Sequence, residues 1–308
     1  MPNGLLLIDK PAGLRSAECV ARVKRLLDKK DKNTRVGHAG ALDSTASGLL
    51  IVLLGTATGL SDYVMKLPKA YEATIRLGVS TDTCDASGSV VFRANAAEVR
   101  DSSFDRVLCS FWGTRMQRPP EISALKVNGK PSHKMAREGK AAKLVSRPAD
   151  VVAAKRCSPI SDEAVRISVE CGKGTYIRAI ARDIGEKLGC GAHVEALRRL
   201  SIGHFRVHEA EAAENLVLFS AKLRSLREVG SAFHRIALTA DAEQQLLQGR
   251  GVLLAEAGRY VPGSVELRHG LCVESENMIG FVDVGECENA CGAPFLRPKV
   301  NIAMGDLK

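Results

Sequence analysis

The sequence predicts an α+β protein with a small β-rich module at its C-terminal end. Three observations carry this reading. Apolar or alternating runs of strand length recur along the chain, as in GLLLI (4–8), LLIVLL (49–54) and AYEATIRLGV (70–79). Helical patterns lie among them, at about 16–27, 96–112 and 172–189. After about residue 236 the texture changes to short strands broken by glycine turns, in GRGVLL, RYVPG, LRHGLCVES and MIGFVDVG.

Taken in order, GLLLI reads as a buried strand and DKPAG as the turn after it. Ser16 is placed as the N-cap of a helix to about Leu27, with Val20, Val23, Leu26 and Leu27 on one face. KKDKNTR (29–35) reads as a charged loop. The Gly- and Ala-rich stretch RVGHAGALDSTASG then leads into the strand at 49–54. A short helix is expected near 58–66, an alternating strand at 70–79, and a polar turn at TDTCDASG (81–88). Residues 96–112 read as an amphipathic helix. Residues 117–148 form a long basic stretch with little apolar periodicity, which reads as an insertion. Strands are expected at 150–158, 164–171 and 193–205. GKGTYIRAIARDIGEKLG (172–189) reads as a turn opening a helix that stops at Gly189.

Composition narrows the function classes. At 308 residues, 45% hydrophobic and 26% charged, the chain suits one large domain with an appendage or two ordinary ones. No run of about 18 apolar residues occurs, so no membrane span is expected. MPNGLLLIDKPAG has no basic leader and reads as a first strand rather than a signal peptide. Nine scattered cysteines argue for reduced thiols in a cytoplasmic setting. Cys287 and Cys291 are the only close pair, with no second Cys or His pair nearby, so no metal site is expected. Net charge is +9, but from Ala240 onward 6 Lys+Arg face 10 Asp+Glu, so residues 1–239 hold +13. A basic body of this kind suits a polyanionic partner, or simply solubility.

Three features stand apart from ordinary core patterning. Asp43 sits in a loop stripped of bulk by Gly37, Ala39, Gly40, Ala41, Ala46, Ser47 and Gly48. Such a carboxylate either bonds its own turn amides or is kept accessible for a closely approaching ligand. Tyr71 opens an alternating strand, where tyrosine is also an ordinary resident. Tyr176 and Arg178 lie two apart and, read as a strand end, would face one way. Arg178 is either a surface cation or a buried fork that keeps a carboxylate ionised, as a nucleophile must be. His38 is assigned packing or stacking in preference to proton transfer, and no partner nearby supports a metal.

GHAGALDSTASGLLIVLLGTAT resembles the signature loop of the TruB-type tRNA pseudouridine synthases, whose usual form is roughly GHTGTLDPLATG. GLLLIDKPAGLRS, KAYEATIRLGVSTDTCDASG, QRPPEISALKVNGK and SVECGKGTYIRAIARDIGEKLGCGAHVEALRRLSIGHF follow in the family's order, so the resemblance spans about residues 4–206. A weaker likeness links the tail to PUA-like RNA-binding modules.

The resemblance implies a pseudouridine synthase fold: a mixed, mostly antiparallel sheet with flanking helices, over residues 1–235, and a small β-barrel-like module over 236–308. It implies isomerisation of one uridine in the T-loop of tRNA without a cofactor; no guide RNA or obligatory protein partner is expected, and with no exposed apolar stripe that demands a dimer, a monomer is expected. Asp43 falls on the essential aspartate, which attacks either the sugar or the base. Tyr71 falls on the active-site tyrosine that stacks on the target and is the leading candidate to remove its C5 proton. Arg178 falls on the arginine paired with the aspartate, Tyr176 and Leu197 on positions lining the uracil pocket, and His38 on a histidine that contacts the RNA. The stretch 117–148 matches an RNA-gripping insertion. Ala39, Ala41, Ser44, Ile122 and His133 depart from the usual pattern. Two rivals stand beside this reading. One is a guide-RNA-dependent synthase, against which the long insertion and the mildly acidic tail argue. The other is a non-catalytic tRNA-binding factor, against which the joint presence of Asp43, Tyr71 and Arg178 argues.

Overall fold

A computed structural model describes residues 2–27, 31–122, 126–127, 130–131, 144–216, 222–286 and 293–303. His133, Cys287, Cys291 and most of the 117–148 insertion lie outside the described residues.

A ten-stranded mixed sheet forms the body. Its main path runs Glu211–Ala212, Gly4–Lys10, Ser47–Leu54, Ala192–Ile202, Lys69–Leu77, Ala164–Cys171, Arg147–Arg156, Gly113–Gln117. Pairing is antiparallel except where Gly4–Lys10 meets Glu211–Ala212 and Ser47–Leu54 meets Ala192–Ile202. Ser47–Leu54 is buried along all but its first residue, which is why it reads as an unbroken apolar run. Lys69–Leu77 shows the expected alternation over its C-terminal half.

The middle of the sheet creates the site. Ser47–Leu54 and Ala192–Ile202 pair over only Ser47–Arg198 and Gly48–Arg199. Gly48 adopts φ +104°, and a Cβ there would stand 2.2 Å from the Arg199 carbonyl oxygen. Only glycine permits that approach. Ala192–Ile202 also carries two register shifts against Lys69–Leu77, after Val194 and after Arg199, and bulges of this kind re-aim side chains.

Several local expectations are corrected. The first helix runs Ser16–Leu26 with Arg15, not Ser16, as N-cap, and Glu18 accepts the Arg15 amide at 2.8 Å. Ser16 spends its hydroxyl elsewhere, and Leu26 faces solvent. The helix expected over 96–112 is only Asp101–Cys109, because Asn95 turns the chain by accepting the Ala97 amide and Val99 closes a further turn on Ala96. Arg178 is not on a strand end: it lies in the first turn of the helix Ile177–Leu188, capped by Tyr176 and closed by Gly189 at φ 75°.

The tail builds a second, six-stranded sheet ordered Val252–Leu253, Pro294–Ala303, Met278–Glu286, Leu271–Glu274, Arg235–Leu238, Gly258–Val261. It also contains a helix that the glycine-rich texture hid, Ala240–Leu247, where the Thr239 hydroxyl accepts the Ala242 amide. The two sheets share one core: Leu5, Leu49, Ile51 and Phe205 pack in a common cluster with Phe233, Ile279, Phe281 and Ile302. Tyr63 stacks on Phe281 at 3.6 Å between ring centroids, with Phe233 edge-on to both. No helix among the described residues is long and apolar enough to cross a membrane.

Candidate active site

The loop that carries Asp43 is staked through its backbone. Ser16 Oγ donates to the Leu42 carbonyl and accepts the Leu42 amide, both at 2.9 Å. The fully buried Lys10 donates to Pro11, Leu14 and Ala46 carbonyls at 2.9, 2.7 and 2.5 Å, and burial pushes its pKa down. The Gly13 amide donates to the Ser44 carbonyl at 2.7 Å, and Arg199 Nη2 to the Gly40 carbonyl at 3.0 Å. These bonds use main-chain atoms at 40, 42, 44 and 46. The small residues there are free of holding duty, and the loop surface stays low.

Asp43 itself is half-exposed, and among the described residues its carboxylate accepts nothing from its own turn. It meets Arg178 instead, with Nε 2.8 Å from Oδ2. The contact is an ion pair, since among the described residues that buried Nε has no aligned hydrogen-bond acceptor. Arg178 is buried and gathers three further groups: Nη1 donates to the Thr83 carbonyl at 2.9 Å and the Ile122 carbonyl at 3.1 Å, and stands 3.7 Å from Asp85 Oδ2. Asp85 is likewise buried and accepts from the Thr83 hydroxyl and from the Ser87 hydroxyl and amide. One guanidinium thus joins the Asp43 loop, the 81–88 turn, the start of the insertion and the helix. At position 122 it engages a carbonyl, which any residue supplies.

Asp43, Tyr71, Tyr176, Arg178 and Leu197 all line one cavity of about 310 Å³, a size at the lower end of small-molecule pockets. Its other ionisable basic members are Lys69, Lys173 and Arg199, so one carboxylate sits among four basic side chains. A larger groove of about 900 Å³ lies beside it and contains neither Asp43 nor Tyr71. Burial pushes the Tyr71 hydroxyl above the usual phenol range, with Arg199 pulling against that shift. Tyr71 is therefore a neutral phenol at neutral pH. Tyr176 is fixed through its main chain: its amide donates to Gln117 Oε1 at 2.9 Å and its carbonyl accepts from Gln117 Nε2 at 3.1 Å. His38, at the end of the short strand Val36–His38, does not line the cavity. Among the described residues its buried Nδ1 has no hydrogen-bond partner, and burial lowers its pKa, so the ring is neutral at neutral pH.

Sequence reasoning missed Asp85, Gln117, Lys69 and Arg199. Asp85 and Gln117 are remote from Arg178 and Tyr176 in sequence and meet them only through folding. Lys69 had a faint signal, as a lysine at an inward position of an alternating strand. It is buried, donates to the Met65 and Leu67 carbonyls, and burial lowers its pKa to about 7.

The fold and a carboxylate–guanidinium cleft in mid-sheet define a class, the pseudouridine synthases. Over 98% of this chain the fold matches the crystal structure of a Cbf5–Nop10–Gar1 complex, covering 85% of that chain with a TM-score of 0.73 at 21% identity. A structure of an H/ACA RNP bound to a substrate RNA containing 2′-deoxyuridine matches at TM-score 0.69 over 97% of this chain and 84% of that one. Sequence comparison is more specific. Residues 24–177 match the TruB family pseudouridylate synthase N-terminal domain and residues 178–229 the tRNA pseudouridylate synthase B C-terminal domain. Proteins named tRNA pseudouridine synthase B are similar along most of their length. That of Gluconacetobacter diazotrophicus is 39% identical over 96% of both chains, and that of Corynebacterium aurimucosum 38% over 80% of this chain and 82% of its own. The chain belongs to the TruB family of pseudouridylate synthases, which are isomerases.

Proposed function

We propose that the protein isomerises a uridine in the T-loop of tRNA to pseudouridine, with Asp43 as nucleophile and without a guide RNA. The observation that carries this reading is the Asp43 carboxylate, unspent on its own turn and paired with Arg178 inside a cavity that also holds Tyr71. Relatives near 40% identity that are named for tRNA support the substrate.

Reaching the target requires flipping it from its stack at a cost of a few kcal/mol. The +13 charge of residues 1–239 offsets that cost through phosphate contacts. Arg178 keeps Asp43 ionised and aimed. The N1–C1′ bond then breaks, the uracil turns, and C5 bonds to C1′. Loss of the C5 proton and gain of one at N1 complete the isomerisation. Tyr71 is the acceptor of the C5 proton, Tyr176 and Leu197 wall the base, and His38 contacts the RNA outside the cavity. Residues 1–235 form the catalytic part, the 117–148 insertion grips the RNA, and residues 236–308 act as a PUA-like RNA-binding module. The enzyme works as a monomer with no protein partner.

The test is incubation of the purified protein with a bare T-stem-loop transcript, followed by pseudouridine mapping. Conversion without guide RNA is expected. Asp43→Asn should lower the rate at least a thousandfold, about 4 kcal/mol, with transcript binding nearly unchanged. Normal turnover by Asp43→Asn would remove the nucleophile assignment.

A further inference from the structure

Arg199 is 2% exposed, and among the described residues it has no carboxylate partner. Its guanidinium meets neutral oxygens only: Nε donates to the Leu49 carbonyl at 2.7 Å and Nη2 to the Gly40 carbonyl at 3.0 Å, leaving Nη1 uncommitted to either. A cation kept in the interior without a counter-charge is costly. Holding the Asp43 loop at Gly40 needs only a neutral donor, so the charge calls for a separate reason.

Register supplies one. Arg199 stands directly opposite Tyr71 in the ladder between Ala192–Ile202 and Lys69–Leu77, just before a register shift. Side chains directly opposite in an antiparallel pair share a face, and both of these line the cavity that contains Asp43. We propose that Arg199 is the positioning residue that makes Tyr71 a working base, by stabilising its phenolate beside C5 of the uracil. This rests on the reading of Tyr71 as the acceptor of the C5 proton.

The groups facing Tyr71 single out Arg199. Asp43 and Cys171 oppose ionisation of the phenol, but burial lifts the Cys171 thiol to about 12, so it carries no charge at neutral pH. Lys69 also lines the cavity, yet with a pKa of about 7 it is only partly charged there. Arg178 faces Asp43, and Lys173 lies in the glycine-rich turn before the helix. Arg199 carries a permanent charge and acts on the phenol directly.

The proton balance is closed. The Tyr71 phenol first gives its proton to solvent. The C5–H bond then breaks, the proton passes to the phenolate oxygen, the electron pair closes the C5=C6 bond, and N1 takes a proton from water.

The experiment compares single-turnover rates of wild type, Arg199→Gln and Arg199→Lys across pH, on T-stem-loop transcripts with ordinary or C5-deuterated uridine. Arg199→Gln should slow turnover roughly tenfold at neutral pH, move the acid limb of the profile upward by about one pH unit, and raise the deuterium isotope effect. Arg199→Lys should recover part of the rate. A loss that is uniform with pH, with an unchanged isotope effect, would make Arg199 purely structural and overturn the proposal. If Arg199→Gln does not fold, fluorine NMR of 3-fluorotyrosine placed at position 71 decides. Its ionisation midpoint should lie higher in Arg199→Lys than beside Arg199, and an equal midpoint rejects the idea. Tyr71→Phe separates the two readings: full activity there defeats the base assignment itself. An inactive Tyr71→Phe with a wild-type-like Arg199→Gln defeats only the role of Arg199.

Discussion

The two sheets solve burial in opposite ways. Among the described residues, every buried charged side chain belongs to the body: Lys10, Lys69, Asp85, Arg178 and Arg199. Among the described residues the six-stranded sheet has no fully buried charged side chain, and its core is apolar, around Ile236, Leu246, Val273, Met278 and Leu296. Its ion pairs run from the half-buried Arg235–Glu274 at 2.7 Å to the exposed Lys299–Asp283 at 2.9 Å. A core built for stability alone has no use for internal cations, because desolvation outweighs what they return. The body tolerates them by caging each in carbonyls, as with Lys10 and its three acceptors. The cages surround one accessible carboxylate. Buried charge therefore marks the region where chemistry takes precedence over packing.

Arg178→Met probes the charged region most severely. It leaves Asp85 buried without its cation and Asp43 unaimed, so activity should vanish. Stability should fall by about 3–5 kcal/mol, read by denaturant unfolding. Phe281→Ala is the matching break in the apolar region, where Phe281 stacks on Tyr63 and meets Phe233. It should cost about 3–5 kcal/mol in the same assay, but leave the single-turnover rate at saturating transcript unchanged at temperatures where the variant is folded. A fall in that rate would show that the tail helps shape the cavity.

Lys69→Met gives the most specific effect, one confined to a pH window. The folded-state pKa of Lys69, about 7, lies below its ordinary value of 10.5. Between those values the unfolded chain binds more protons, so stability rises with pH through that window. Below pH 7 the burial penalty on the ammonium is fully present. Wild type should therefore gain stability relative to Lys69→Met as pH climbs from 7 toward 10, by at most about 1.4 kcal/mol per pH unit. Parallel stability curves would mean that Lys69 stays protonated in its cage.

Much of the fold was legible because its cues are local. The unbroken run at 49–54 and the glycine after Leu188 each encode an element through neighbours a few residues away. The errors arose where a long-range partner took over a local signal or where a local turn masked a helix start. Ser16 looked like a cap but gave its hydroxyl to Leu42, and Arg178 looked like a strand residue because the turn before it hid the helix start. Asp43, Tyr71 and Arg178 were picked out by sequence and meet in one cavity. Asp85, Gln117 and Arg199 were not, since nothing in their own segments marks them.

By itself the sequence determined the positions of most strands and helices, the basic body and the residue types offered at the cleft, because spacing, capping and charge act within a few residues of chain. Only the tertiary structure decided which of the body's cations face Asp43 and Tyr71, and that the tail shares the body's core. Those outcomes depend on strand register and on the close passage of Gly48 against Arg199, which bring together residues some 150 positions apart.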